Sequence, residues 1–260
     1  MAIAKRINDI WEFKYLIYNL VLRDLKIKYK GSTLGFLWSL LNPLLMIVVY
    51  TVAFKYVIKI KVANFPIFLF SALLPWSFLS STLSMGVTAI TENSSLVKKV
   101  YFPREVLPLS ILLVNLFHFL LTFVVLIPAL LFFNIQPGFS FFFLVVIIFF
   151  QTLFVLGLTL LVSALNVYYR DVKHFLEVLL NLWFWLTPII WPIGLLPEKF
   201  RDYAYLNPFT PFVKAYRDII LHGKFPQPLT LLLVAVMGIL IFFLGAFIFH
   251  KKQRRFAEEI

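Results

Sequence analysis

Arg170, Asp171 and His174 are the best acid/base cluster this chain offers. Such a group could in principle serve chemistry on a lipid-linked sugar, because transfer reactions need convergent ionisable groups at an interface. The simpler reading of the same residues is an interfacial salt-bridge group in a cytoplasmic loop. Four histidines, His118, His174, His222 and His250, stand far apart, and no HExxH or paired metal-ligand spacing occurs. His118 has Asn115 at i−3 and Thr122 at i+4, which makes a polar stripe inside an apolar run. That stripe either satisfies itself against neighbouring helices or serves a function. Glu177 is the one carboxylate placed inside an expected span, near its cytoplasmic end. Carriers driven by protons or sodium keep carboxylates or unwound helices near the bilayer midplane. Without these, energy must enter from elsewhere. It does not enter through a GxxxxGK[ST] phosphate loop, because none is present. Cysteine is absent, so thiol nucleophiles, thiolate zinc sites and disulfides are excluded.

The elements that position these residues belong in lipid. Only 14% of the 260 residues are charged and the mean hydropathy is +0.92, whereas a soluble domain carries about a quarter charged residues. One water-soluble core of this size would leave too few polar residues to cover it. A helix needs roughly 20 apolar residues to cross the hydrocarbon. Runs of that kind place six transmembrane helices at 34–54, 67–90, 106–133, 139–167, 175–191 and 229–249. The expected fold is an all-α polytopic membrane protein with both termini on one side. Sixteen of the 24 Lys and Arg residues fall on that side, which places both termini in the cytoplasm. Lys55, Lys59 and Lys61 weaken that bias without reversing it. The net charge of +12 therefore reads as a topology and headgroup signal, and nucleic acid is not an expected partner. The N-terminal segment lacks the short apolar core and small-residue cleavage site of a removable signal peptide.

Three segments are not spans. Residues 1–33 form the first unit and 34–260 the transmembrane domain. Within the first, Trp11, Tyr15, Tyr18, Leu22, Leu25 and Tyr29 step by three and four, with most charges off that stripe. The pattern predicts an amphipathic interfacial helix ended by Gly31, with Ser32-Thr33 capping the next helix. It suits a membrane anchor and a partner-docking helix equally. In the second cytoplasmic loop, a short helix beginning near Asn93, Ser94 or Ser95 carries Leu96, Val97, Val100 and Tyr101 on one face. Lys98 and Lys99 lie on another, and Pro103 stops the helix before Arg104. This apolar knob with a basic rim fits a groove on another protein, or headgroups. Residues 193–225 are too apolar for a soluble domain; with Pro208, Phe212 and Tyr216 they are expected to form short re-entrant helices at an outer gate, or else a capping loop.

Aromatic residues are in surplus, with 31 Phe, 11 Tyr and 6 Trp. Many simply face lipid. Trp38, Tyr50, Trp183, Trp185 and Trp191 fall in or near the first and fifth spans, where they could line a path that grips the apolar faces of sugar rings; belt anchoring and helix packing are the simpler reading of any one of them taken singly. Trp183 and Trp185 are two apart and cannot share one helical face.

Four stretches together resemble the membrane subunits of the ABC-2 class of ABC exporters, nearest to the permeases of O-antigen polysaccharide: RDLKIKYKGSTLGFLWSLLNPLL at 23–45, LVKKVYFPREVLPLS at 96–110, NVYYRDVKHFLEVLL at 166–180 and LNPFTPFVKAYRDIIL at 206–221. The likeness runs over nearly the whole chain in order. It implies a homodimer of this subunit with two nucleotide-binding ABC ATPase subunits, which hold ATP and Mg²⁺; no cofactor is expected in this chain. It implies that 93–104 is a coupling helix seated in the ATPase, with Leu96, Val97, Lys98, Lys99, Val100, Tyr101 and Arg104 at the contact, and Arg170, Asp171 and His174 beside it. The cargo it implies is an undecaprenyl-linked polysaccharide crossing the inner membrane from cytoplasm to periplasm. Teichoic acid or capsular polysaccharide export, and a membrane enzyme acting on lipid-linked sugars, are the alternatives.

Overall fold

The computed structural model of the chain describes residues 9–32, 34–59 and 62–260. Lys5, Arg6 and Lys61 of the charge count, Thr33 of the expected cap, and the start of the first unit lie outside the described residues. Among the described residues every regular element is helical. Helix α1 (Lys14–Tyr29) is followed by Gly31 at φ 78°, a conformation that favours glycine and turns the chain away. Helix α2 (Trp38–Tyr50) contains Pro43 and continues as a π-helical stretch, Thr51–Val57. Helix α3 (Phe65–Gly86) leads through turns to the short α4 (Ser94–Lys99), and α5 (Val106–Phe132) comes next. Helices α6 (Leu144–Tyr168), α7 (Val172–Leu186), α8 (Thr210–Ile220) and α9 (Pro228–Lys252) complete the order.

Among the described residues, five helical stretches are long and apolar enough to cross a membrane: Leu40–Val57, Phe65–Gly86, Val106–Phe132, Phe139–Tyr168 and Pro228–Glu259. The expected fifth span at 175–191 differs. Its helix, α7, ends at Leu186, because Pro188 forces the preceding Thr187 into an extended conformation (ψ 136°). Fifteen residues rise only about 22 Å, and the path is finished by irregular chain. The chain still passes from one end of the bundle to the other here. Tyr168, just before α7, lies beside the end of α9, whereas Ile189, just after it, lies beside Arg217 of α8 and the start of α3.

Helix α3 is the axle of the bundle, buried along most of its length against α5, α6 and α8. The tightest pair is α6 with α9, and glycine makes it possible. A Cβ on Gly157 would strike the Ile241 carbonyl, one on Gly245 would strike the Gly157 carbonyl, and one on Gly238 would lie 2.6 Å from the Phe150 oxygen. In lipid, where apolar surface gives no preference for a neighbouring helix over an acyl chain, such backbone approach is what holds helices together. Helix α2 is the opposite case. Leu45, Met46, Val48, Val49 and Val52 are exposed, so this helix touches the rest of the chain along a narrow seam only. A second, smaller core sits at the α4 end, where Leu20, Val97, Phe102, Phe249 and Phe256 meet.

Candidate docking end and polar cleft

Helix α4 is a six-residue helix. Its N-cap Asn93 does not cap it with its side chain. Instead the Asn93 Oδ1 accepts from Arg23 Nη1 of α1 at 3.0 Å, and its Nδ2 donates to the Ala89 carbonyl at 2.8 Å. The four apolar residues expected on one face divide. Val97 is buried in the smaller core and Leu96 is half-buried beside it. Val100 and Tyr101, in the extended chain after the helix, project outward, and Tyr101 is 96% exposed. Lys98 and Lys99 are exposed. Lys98 Nζ donates to the Ile260 carbonyl, and Arg104 Nη1 donates to the Gln253 carbonyl at 2.7 Å. A braced stub with one fully presented aromatic ring is therefore what this end offers to a partner. Arg170, Asp171 and His174 are exposed at the turn between α6 and α7. Their nearest ionic contact runs from His174 Nδ1 to Glu177 Oε2 at 4.0 Å, an exposed pair. No convergent acid/base site is formed by them.

A cleft of about 780 Å³ opens between α2, α3, α5 and α7, with the end of α1 at its base. That volume is within the usual range of about 300–1,000 Å³ for small-molecule sites. Trp38 and Tyr50 line it, and Trp76 joins them from α3. Ser77, Ser80, Ser81 and Ser84 recur at helical spacing and place a row of hydroxyls along the α3 wall. Asn115, His118 and Thr122 form the α5 wall, and the Tyr29 hydroxyl of α1 lies 3.1 Å from His118 Nδ1, tying the end of α1 to the middle of α5. The two ends of the cleft differ. Lys28, Ser84 and Glu177 stand toward α1, whereas Tyr50 and Phe184 stack with ring centroids 6.2 Å apart toward α8. Hydroxyl and amide groups on one wall, with aromatic faces on another, can hydrogen-bond the rim of a sugar ring and stack on its apolar face.

The remaining aromatic residues lie elsewhere. Trp183 turns away from the cleft into a ring cluster with Trp76 and Phe209, and its Nε1 donates to Asn207 Oδ1 at 2.7 Å. Trp185 is exposed on the other side of α7, and Trp191 donates to its carbonyl at 3.1 Å. Asn207 also donates to Thr187 Oγ1 at 2.8 Å, so one amide fixes the break in α7 to the segment before α8. Pro208 is half-buried, and Phe212 and Tyr216 are wholly enclosed by their own chain. The Tyr216 hydroxyl donates to Gln151 Oε1 at 2.6 Å, and Gln151 Nε2 donates to the Pro75 carbonyl at 2.8 Å. Neighbouring Arg217 is buried as well. Its Nη2 donates to the Ile189 carbonyl at 2.6 Å and its guanidinium lies 3.6 Å from the centre of the Phe68 ring. The serine row, Gln151 and Arg217 were not singled out from sequence. The serine spacing was legible; the other two take their meaning from partners distant in the chain.

A glycine-packed helical bundle with five apolar stretches long enough to cross a membrane is the architecture of a multi-pass membrane protein. The ABC-2 type transporter family model matches residues 15–221, and the chain belongs to that family. Membrane subunits of this family lack the nucleotide-binding domain and pair with an ABC ATPase subunit. Among similar proteins, an O-antigen export system permease protein, RfbA, of Myxococcus xanthus is 32% identical over 98% of each chain. The corresponding protein of Klebsiella pneumoniae is 32% identical over 99% of each. The polysialic acid transport protein KpsM of Escherichia coli is 22% identical over 92% of this chain and 94% of its own.

Proposed function

We propose that this chain is the permease of an ATP-driven exporter that moves lipid-linked O-antigen polysaccharide from cytoplasm to periplasm. Two copies pair around a two-fold axis with two ATPase chains, which hold ATP and Mg²⁺. The observation that carries the reading is the Val100–Tyr101 tip presented by α4 in an ABC-2 chain with no phosphate loop of its own. The α4 end faces the cytoplasm of the inner membrane, in keeping with the excess of Lys and Arg there. Force from hydrolysis enters at the tip. The cleft supplies half of the conduit wall, and a symmetric copy supplies the other half. The sparsely packed α2 beside the cleft is the element such a copy would cover.

O-antigen is preferred over capsular polymer because the relatives named for O-antigen export are the more similar, at 32% against 22% identity. Expression in two strains tests this, one lacking its O-antigen export permease and one lacking its polysialic acid transport permease, each supplied with the cognate ATPase of this chain. Restored surface O-antigen in the first strain alone supports the proposal. Restoration in the second alone moves the assignment to capsular polymer.

A further inference from the structure

Residues 253–260, QRRFAEEI, are mostly polar, yet they are tied into the α4 end. Gln253 is buried: its carbonyl accepts from Arg104, and its Nε2 donates to Glu105 Oε1 at 3.0 Å and lies 2.9 Å from His250 Nδ1. Just before it, the Lys252 carbonyl accepts from the Tyr168 hydroxyl at 2.8 Å, and the Lys252 ammonium lies 4.1 Å from the centre of that ring. Phe256 is fully enclosed, edge-on to Phe249 at 5.4 Å and near Tyr168 at 6.3 Å, in the same core as Val97. The Ile260 carbonyl accepts from Lys98. Both flanks of the Val100–Tyr101 tip, Lys98 before it and Arg104 after it, are thus held by one segment.

We propose that residues 253–260 are a positioning strap for α4. The strap continues α9, and α9 is locked to α6 backbone against backbone through Gly157 and Gly245. A push on the tip is then delivered to the rigid α6–α9 pair through space, as well as to α3 and α5 through the chain. Arg104, Gln253 and Phe256 are positioning residues in this account. The proposal rests on the reading that α4 docks the ATPase, but its first test does not.

Hydrogen exchange of the full chain in detergent, read by mass spectrometry, tests the strap directly. In Phe256→Ala and in Gln253→Ala, the amides of Leu96, Val97 and Val100 are expected to exchange roughly tenfold faster. Exchange in α5 and α6 stays unchanged, and Phe256→Leu restores most of the protection. Unchanged exchange at α4, or acceleration spread evenly over the bundle, overturns the strap. In the complex with its ATPase, both strap variants still co-purify and hydrolyse ATP but export less polymer for each ATP; equal export per ATP also overturns it. Tyr101→Asp is run in parallel. If that variant keeps its ATPase and its export, the docking reading fails while the exchange result stands on its own.

Discussion

Arg217 carries a buried guanidinium that meets no carboxylate among the described residues: a carbonyl and a phenyl face hold it, and its Nε has no hydrogen-bond partner there. Both contacts cross the chain, one to Ile189 after the break in α7 and one to Phe68 at the start of α3, so this side chain fastens α8 to two elements at once. A hydrogen bond from a charged donor contributes about 1.5–3 kcal/mol, and a desolvated cation–π contact about 2 kcal/mol. Arg217→Ala is therefore expected to lower stability by about 3 kcal/mol in a detergent thermal-unfolding assay. Arg217→Lys, which keeps the charge but not the planar stack, falls between. Equal melting of wild type and Arg217→Ala would remove the fastening role. In the sequence, Arg217 counts only as one more basic residue near a membrane end. Nothing local marks it as buried, because burial depends on Phe68. The spacing of Phe212, Ala215, Tyr216, Ile219 and Ile220, by contrast, puts them on one helical face whatever their partners, and all five are buried.

At the scale of elements, periodicity located the helices but not their partners. Hydropathy marked the stretches that became α3, α5, α6 and α9, since a run of apolar residues needs no tertiary information to be recognised. It could not show that α3 is central and α2 peripheral, because both runs are equally apolar. The expected span at 175–191 overran the end of α7, although Thr187-Pro188 was a readable stop. Nor did spacing separate Gly157, Gly238 and Gly245 from glycines of no consequence; each matters only because a second backbone arrives there. Gly245→Leu is expected to force α9 off α6, at a cost of at least the 1–3 kcal/mol typical of overpacking, and to give a broadened or aggregated profile in size-exclusion chromatography. A monodisperse Gly245→Leu protein with unchanged melting would contradict the close approach. The short α4 shows the converse limit. Its start and its stop at Pro103 were legible. The division that buries Val97 and presents Tyr101 was not, because it depends on α1 and on the strap meeting the helix from either side.

For the whole molecule, the proposed exporter has an input at α4 and a conduit along the cleft, and the two are separable. Ser81 is exposed on the cleft wall, on a different helix from the Val100–Tyr101 tip. Ser81→Trp is expected to narrow the cleft and cut polymer export sharply while the ATPase still binds; surface polymer at the wild-type level would show that the cleft is not the path. The sequence supplied Trp38 and Tyr50 for this wall, but it grouped them with Trp183, which the fold spends on a buried ring cluster. A helix wheel alone could not tell a wall from an interior. The central claim is the docking at the Val100–Tyr101 tip, and affinity purification of the tagged chain co-expressed with its ATPase tests it most directly. Wild type is predicted to retain the ATPase. Tyr101→Asp, which would carry an unpaired carboxylate into an apolar pocket at a cost of several kcal/mol, is predicted to weaken retention by at least about thirtyfold without changing the melting of the chain itself. Retention of the ATPase by Tyr101→Asp at the wild-type level would contradict the account.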